Sequence, residues 1–573
     1  MTIDHQTDSR SHREVGAGLP IESRRHCVIG AGLSGLAVAK ALKERGIPFD
    51  VLERNDAIGG NWYDGVYDST HIISSRDSTA YADFPMPRHY PDFPSRDQLL
   101  AYFNAYADRF GLREHVSFET EVTGVEPLDE NGMAGWRVTL RSEGVASGTD
   151  VTPTERETRE YAGVVVCNGH HWSKRIPEYP GEFVGKTLHS KDYKRPSDFE
   201  GRSILVVGMG NSGCDIAVEA AREGLESHIS ARRGTHLLPK TIFGVPTSEW
   251  DRPWMPVCAQ KRLMKLLLRV TVGSNERYGL PKPEHDLFER HPTVNSQLLY
   301  ELRHGRVRPK PDIERLDGRT VHFVDGTTVE ADTIVWATGF NVAFPFLPDD
   351  LFEWERGYPR VVAGMIPPGK ANLYAFGLGQ PRGGAGPLAT AGSRLLALML
   401  DTQAELDHPL ADDLARLRKP EARELFGVSE LMRRIRMGDR IVRLIRWRAR
   451  RASGAVVAVG RSGPGQVARS EGGGSRREVP PTEGAGEPIG SAGRRVGANV
   501  QRLGRGDGVE RAVEPVGARD VEAPPEAAAG PDVLRPEPDG ALRPVREGDV
   551  VDGALGSAGA PANGGPPRDR QVA

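Results

Sequence analysis

The sequence predicts an α/β fold built on two Rossmann-type parallel sheets, and three observations carry that reading. A short apolar run, Cys27-Val28-Ile29, meets Gly30-Ala31-Gly32-Leu33-Ser34-Gly35, a G-x-G-x-x-G turn that opens a small-residue helical stretch. The arrangement recurs where Ser203-Ile204-Leu205-Val206-Val207 meets Gly208-Met209-Gly210-Asn211-Ser212-Gly213. The next strand after each copy ends in charge: Glu53 after the first, Arg232-Arg233 after the second.

Each glycine of the first copy has a physical task. Gly30 permits the tight turn, Gly32 lets backbone approach a pyrophosphate, and Gly35 lets the helix pack close on its strand. The phosphates then lie at a helix N-terminus, where unpaired N–H groups and the helix dipole favour negative charge. Val51-Leu52-Glu53 reads as the second strand, and Glu53 stands 18 residues beyond Gly35. A carboxylate about 20 residues on is placed to accept from ribose hydroxyls. In the second copy two cations replace the acid. A 2′-phosphate needs such a partner, so Arg232 and Arg233 point to NADPH rather than NADH, against the alternative of a solvated strand end.

Composition narrows the function classes. Lys plus Arg number 75 and Asp plus Glu 78, a formal charge of -3, which leaves no basic footprint for nucleic acid. The four cysteines, Cys27, Cys167, Cys214 and Cys258, are too scattered for a disulfide framework or a metal cluster. No apolar run approaches the ~20 residues that span a bilayer, and Leu263–Val272 is interrupted by Lys265 and Arg269. A cytoplasmic protein without a transmembrane segment is the expectation.

Residues 1–23 read as a disordered leader. The first domain is expected over 24–172, with an apolar helical face of Leu99, Leu100, Phe103 and Tyr106 in Ser95–Phe110. It ends in the β-branched strand Val164-Val165-Val166 and Cys167-Asn168-Gly169. The second domain is expected over 173–329, with 240–300 an insertion on the substrate side. Sheet then returns over 330–450, with a hairpin turning at Asp325-Gly326 between Thr320–Val324 and Ala331–Phe340. A helix from Ala391 to Leu400 and a basic helix from Arg433 to Arg451 follow. Beyond Ala452 there is no Lys, His, Cys, Met, Phe, Tyr or Trp. Such a composition buries too little apolar surface to offset chain entropy, so 451–573 reads as a disordered tail. Out-of-frame translation of GC-rich DNA accounts for the same residues equally well.

Between the fingerprints, Phe183-Val184-Gly185-Lys186-Thr187-Leu188-His189-Ser190-Lys191-Asp192-Tyr193 fits F-x-G-x-x-x-H-x-x-x-Y. With GAGLSG, GMGNSG and the later Ala337-Thr338-Gly339-Phe340, this order of motifs resembles the flavin-containing monooxygenases and their bacterial relatives over about Arg25–Leu400. The resemblance implies an FAD domain assembled from residues before and after an inserted NADPH domain. It implies that Gly30, Gly32 and Gly35 hold the FAD pyrophosphate, Glu53 its ribose, and Asn61, Trp62, Ile73 and Gln380 the flavin side. Gly208, Gly210, Ser212, Gly213, Cys214 and Asp215, with Arg232 and Arg233, would hold NADPH. Ser74, Ser75, Asn211 and His189 are the candidate groups at the reacting centre, His189 being otherwise a hydrogen-bonded structural histidine.

The implied reaction is oxygenation of a soft nitrogen or sulfur atom of a small molecule by dioxygen, through a C4a-hydroperoxyflavin. The position of the family's asparagine before the Asp83-Phe84-Pro85 run falls here on Ile73, which bears on how tightly NADPH use is coupled to oxygenation. A Baeyer–Villiger monooxygenase shares both fingerprints, but Ser190 and Tyr193 favour the heteroatom side. An uncoupled NADPH oxidase is a further alternative. A disulfide reductase would need a C-x-x-C pair, which is absent.

Overall fold

The computed structural model describes residues 25–142, 155–250, 255–417, 419–422 and 425–460. The expected leader, and the tail beyond residue 460, lie outside them.

The first fingerprint strand, His26–Ile29, is buried from Cys27 onward and ends in the β-branched Val28 and Ile29, and it pairs in parallel with Phe49–Leu52 on one side and Gly163–Val166 on the other. Val116–Ser117 and Leu373–Ala375 complete the edges, giving a five-stranded parallel sheet. Parallel strands need crossover helices, and both sheet faces are therefore covered. On one face lies the fingerprint helix Leu33–Arg45, which stops at Gly46 with left-handed φ of 68°. Beside it Arg96–Arg109 begins in a capping box, where Ser95 Oγ accepts from the Gln98 N–H and Gln98 Oε1 accepts from the Ser95 N–H. Leu99, Phe103 and Tyr106 of that helix are buried, as their spacing predicts. On the other face Trp136 packs from an antiparallel meander of Thr120–Pro127, Trp136–Ser142 and Glu155–Tyr161.

A second parallel sheet orders Lys186–His189, Thr333–Trp336, Ser203–Val207, Glu226–Ser230 and Val307–Lys310. It lies in sequence between Gly163–Val166 and Leu373–Ala375, so it is inserted into the first. Thr333–Trp336 corrects two expectations. It belongs to the second sheet, so the boundary at 329/330 falls one strand too early. The Asp325-Gly326 turn joins Thr320–Phe323 to Thr328–Glu330 instead, and that hairpin forms one side of a four-stranded mixed sheet, whose far edge, Gly181–Phe183, pairs in parallel with Ile313–Gly318.

The helix Gly386–Gln403 is longer than expected and almost wholly buried. The basic helix runs Val428–Gly460, past the position at which a disordered tail was expected to begin. No helix among the described residues is long and apolar enough to cross a membrane.

Candidate functional site

The C-terminal ends of both fingerprint strands open into one cavity of about 1180 Å³. Gly30 turns the chain out of its strand with φ of 103°, and a side chain there would meet the Cys167 carbonyl oxygen at 2.8 Å. At Gly35 an added Cβ would overlap the Gly30 carbonyl oxygen. Glu53 is buried and braces this turn: its Oε2 accepts from the Ala31 N–H at 2.7 Å and its Oε1 from the Asn55 N–H at 3.0 Å. Burial pushes its pKa up, opposed by those N–H donors. Gly59–Trp62 folds over the cradle, with the Gly59 N–H donating to the Ala31 carbonyl at 3.2 Å.

The second cradle repeats the geometry. Gly208 has φ of 111°, and a Cβ on Gly213 would overlap the Gly208 carbonyl oxygen, whereas one on Gly210 would meet nothing within 4 Å. The 240–300 insertion is strapped to this turn: Thr293 Oγ1 donates to the Met209 carbonyl at 2.7 Å, and Asn211 Oδ1 accepts from the Val294 N–H at 2.8 Å. Asp215 ties three segments together. Its Oδ2 accepts from Tyr67 Oη at 2.8 Å and its Oδ1 from Asn295 Nδ2 at 2.7 Å.

Of the expected site residues, the cavity collects Gly30, Gly32, Glu53, Asn61, Trp62, Ile73, Ser74, Gly210, Asn211, Ser212, Asp215 and Gln380 along its wall. Gly35, Gly208 and Gly213 act behind it by shaping the turns. Arg232 and Arg233 are exposed just past the end of Glu226–Ser230, neighbour to the second fingerprint strand.

Three expectations are corrected. Cys214 is fully buried in the core of the second sheet and absent from the cavity wall, because the helical phase turns it inward while Asp215 faces out. Ser75 is a helix cap: its Oγ accepts from the Ser78 N–H at 3.2 Å, its own N–H donates to Ser248 Oγ, and it does not line the cavity. His189 is a structural clip. Its Nδ1 accepts from the Lys191 N–H at 3.1 Å, so Nε2 carries the proton and donates to the Gly339 carbonyl at 3.0 Å. Burial lowers its pKa, and the ring is held neutral and off the cavity wall. Tyr193, the end of the same motif, is likewise buried and donates to Glu219 Oε2 at 2.7 Å.

The residue-level reading missed Tyr67, Asn168, Trp172 and Asn295. The first three line the cavity, and Asn295 stands behind it on Asp215. A signal existed for two: Cys167-Asn168-Gly169-His170-His171-Trp172 leaves the C-terminal end of a parallel strand, where such sheets place ligands. Asn295 carried none.

The residues present fit a pair of dinucleotides. Asn61 Oδ1, Asn168 Oδ1 and Trp172 Nε1 are buried without hydrogen-bond partners among the described residues, and all three residues line the cavity. Buried polar atoms left so are costly unless a ligand satisfies them. The volume also exceeds the roughly 300–1,000 Å³ of an ordinary small-molecule site.

A protein-family model described as "Flavin-binding monooxygenase-like" matches residues 23–430. Rabbit (Oryctolagus cuniculus) flavin-containing monooxygenase 5 is 32% identical over 409 residues, covering 66% of this chain and 73% of the relative. Human flavin-containing monooxygenase 2 is 31% identical over 440 residues, covering 71% and 79%. Among solved structures, OTEMO in complex with FAD and NADP superposes with a TM-score of 0.52 at 19% identity, over 66% of this chain and 84% of that one. At that identity the likeness speaks for the fold. The family match spans both cradles and the cavity between them, and on it the chain belongs to the flavin-binding monooxygenase-like family and is a flavoprotein monooxygenase.

Proposed function

We propose that the protein is an FAD- and NADPH-dependent monooxygenase that transfers one oxygen atom of dioxygen to a soft nitrogen or sulfur atom of a small molecule. The observation that supports this is the one cavity onto which an acid-paired and an arginine-followed cradle both open, with room for two dinucleotides. Gly30, Gly32 and Glu53 would hold the FAD pyrophosphate and ribose, with Asn61, Trp62, Ile73 and Gln380 toward its ring. Gly208, Gly210, Ser212, Gly213, Arg232 and Arg233 would hold NADPH, Asp215 bracing the turn. When bound, the pair supplies hydride transfer from nicotinamide to flavin and the activation of dioxygen by reduced flavin.

The chain's own part is binding, orientation and exclusion of water. Ile73, Phe340, Phe376 and Leu378 give the cavity hydrocarbon walls that keep water from the reacting atoms. Asn211 is fixed by the Val294 N–H on its Oδ1, which leaves its Nδ2 donors for a ligand. Among the expected reacting-centre groups, Asn211 and Ser74 line the cavity, and neither is an acid or base at neutral pH. That suits a reaction in which a heteroatom lone pair attacks oxygen and needs no general acid.

Heteroatom oxygenation is favoured over ester formation by the Ser190 and Tyr193 variant of the identifier motif. The relative from Pan troglodytes named "Dimethylaniline monooxygenase [N-oxide-forming] 2", 31% identical over 79% of its length, points the same way. Product analysis with a thioether and a ketone offered together tests it. Sulfoxide with stoichiometric NADPH use is expected. Ester from the ketone would overturn the heteroatom reading, and peroxide equal to NADPH consumed with every substrate would identify an oxidase.

A further inference from the structure

A second cavity of about 90 Å³ opens beside the main one, and both share Ile73, Ser74, His291, Pro381 and Gly383 as walls. Ile73-Ser74 is therefore a partition. Beyond it the walls come from the 238–294 segment and the loop after Gln380. Leu238, Leu263, Met264 and Phe288 are their main apolar members, the middle two presented by the helix Val257–Thr271, and the one fixed charge among the lining residues, the Arg382 guanidinium, is stacked over the Phe288 ring at 4.6 Å.

The polar groups around this cavity are mostly engaged with protein. Ser74 Oγ and Thr79 Oγ1 are hydrogen-bonded at 2.6 Å, and Thr247 Oγ1 donates to the Pro239 carbonyl. Ser248 Oγ accepts from the Ser75 N–H at 3.0 Å, and Gln260 Nε2 donates to the Met255 carbonyl at 3.0 Å. Trp250 stands apart. It lines the cavity, and its indole Nε1–H is buried with no hydrogen-bond partner among the described residues. A buried N–H without an acceptor is unfavourable, and native proteins seldom keep one without a ligand or water to satisfy it.

We propose that the side cavity is the substrate-recognition pocket. It takes a short, uncharged, apolar arm bearing one acceptor oxygen, which accepts from Trp250 Nε1–H. The oxidisable sulfur or nitrogen, a few bonds away, then sits at the Ile73-Ser74 partition and faces the flavin side of the main cavity. The volume equals about three liquid-water molecules at ~30 Å³ each, so the arm is only a few heavy atoms long. The inference rests on the monooxygenase reading of the main cavity and adds to it the class of substrate.

Three sulfides test it on the flavin-loaded protein: 2-methoxyethyl methyl sulfide, its hydrocarbon isostere butyl methyl sulfide, and dimethyl sulfide, which has no arm. Affinities come from ligand-observed NMR titration, a readout independent of turnover. The wild type is expected to bind the ether about fivefold more tightly than the isostere, the usual net worth of one hydrogen bond. Trp250→Phe keeps the aromatic wall, loses the N–H and equalises the two. Leu263→Trp fills the pocket from its helix, weakening both armed sulfides about tenfold while dimethyl sulfide binds as before. Equal affinities in the wild type, an ether preference that survives Trp250→Phe, or armed sulfides indifferent to Leu263→Trp would each overturn the proposal. Products are scored separately. Armed sulfides that bind with this preference but yield no sulfoxide would remove the heteroatom reading and leave the pocket standing. Sulfoxide formed without the preference would remove the pocket alone.

Discussion

A methyl group added at Gly35 would collide with the Gly30 carbonyl oxygen, and one at Gly213 with that of Gly208, whereas at Gly210 it would enter open space above the cradle. Three glycines of the same motif therefore respond differently to one substitution. Gly35→Ala and Gly213→Ala force backbone apart and should each cost about 1–3 kcal/mol in urea unfolding. Gly210→Ala should fold and keep its flavin, yet raise the KM for NADPH about tenfold, since about 1.4 kcal/mol of lost phosphate contact suffices. Normal NADPH affinity in Gly210→Ala would remove that glycine from the binding site. His189 tests the other kind of residue. The unfolded ring takes up a proton near pH 6.5, while the folded ring, held neutral by burial and by the Lys191 N–H on Nδ1, does so at lower pH. Its contribution to stability is thus full above 6.5 and is lost as pH falls below it. His189→Gln should lower stability at pH 8, and the loss relative to wild type should shrink toward pH 5. The kcat profile should keep its shape throughout. At this scale the glycines were legible because their spacing encodes backbone shape. Cys214 and Ser75 were not, because one depends on helical phase and the other on where a four-residue helix, Arg76–Thr79, happens to start.

Elements were legible where periodicity or capping wrote them into the chain. Ser95 and Gln98 announce the helix Arg96–Arg109, and the two fingerprint strands close on β-branched pairs, Val28-Ile29 and Val206-Val207, each followed by glycine. Thr333–Trp336 was recognisable as a buried strand, but four apolar residues do not encode which sheet they join. That partnership is set by the parallel register with His189 and Val207, a tertiary fact. The basic helix Val428–Gly460 shows how an element so rich in arginine is held. Glu405, at the end of the buried helix Gly386–Gln403, accepts from Arg446 and Arg450, with contacts of 2.7–2.8 Å. Hydrogen bonds from these two arginines, chiefly Arg450, lower the Glu405 pKa to about 2. A depressed carboxyl pKa gives stability that is full above about 4.5 and lost as pH falls toward 2. The carboxylate is partly exposed, so solvent screening limits Glu405→Gln to about 1 kcal/mol. Hydrogen exchange in the basic helix should accelerate about fivefold at pH 7 in this variant, and the ratio to wild type should fall to unity by pH 2. A ratio independent of pH would show that the helix is held by its apolar face, Ile435, Ile441, Val442 and Ile445, and not by this pair.

At the scale of the molecule, two sheets that carry the same glycine turn open onto one cavity, and what joins them was invisible in the sequence. Tyr67 comes from the loop after the first cradle and Asp215 from the helix of the second, 148 residues apart, yet Tyr67 Oη donates to Asp215 Oδ2 at 2.8 Å. Asn295, from the insertion, occupies the other carboxylate oxygen. No spacing rule brings three such segments together, because the contact exists only once one sheet is inserted in the other. Both Tyr67 and Asp215 line the shared cavity, so their bond fixes the distance between the two cradles. Hydride transfer between two bound dinucleotides is steep in that distance, since misplacement by about 1 Å can cost a hundredfold. Tyr67→Phe removes one oxygen and leaves Asp215 held by Asn295 alone. A hydrogen bond to a charged group is worth about 1.5–3 kcal/mol, so anaerobic flavin reduction by NADPH, followed by stopped flow, should slow by about tenfold or more. Flavin content should stay that of the wild type, because Glu53 and the first cradle do not touch Tyr67 Oη. Asp215→Asn, made singly, should slow reduction in the same way, since the amide keeps volume but loses the charge that draws the phenol proton. Reduction at the wild-type rate in Tyr67→Phe would mean that the cradles are spaced by their sheets and that the Tyr67–Asp215 bond is a passenger.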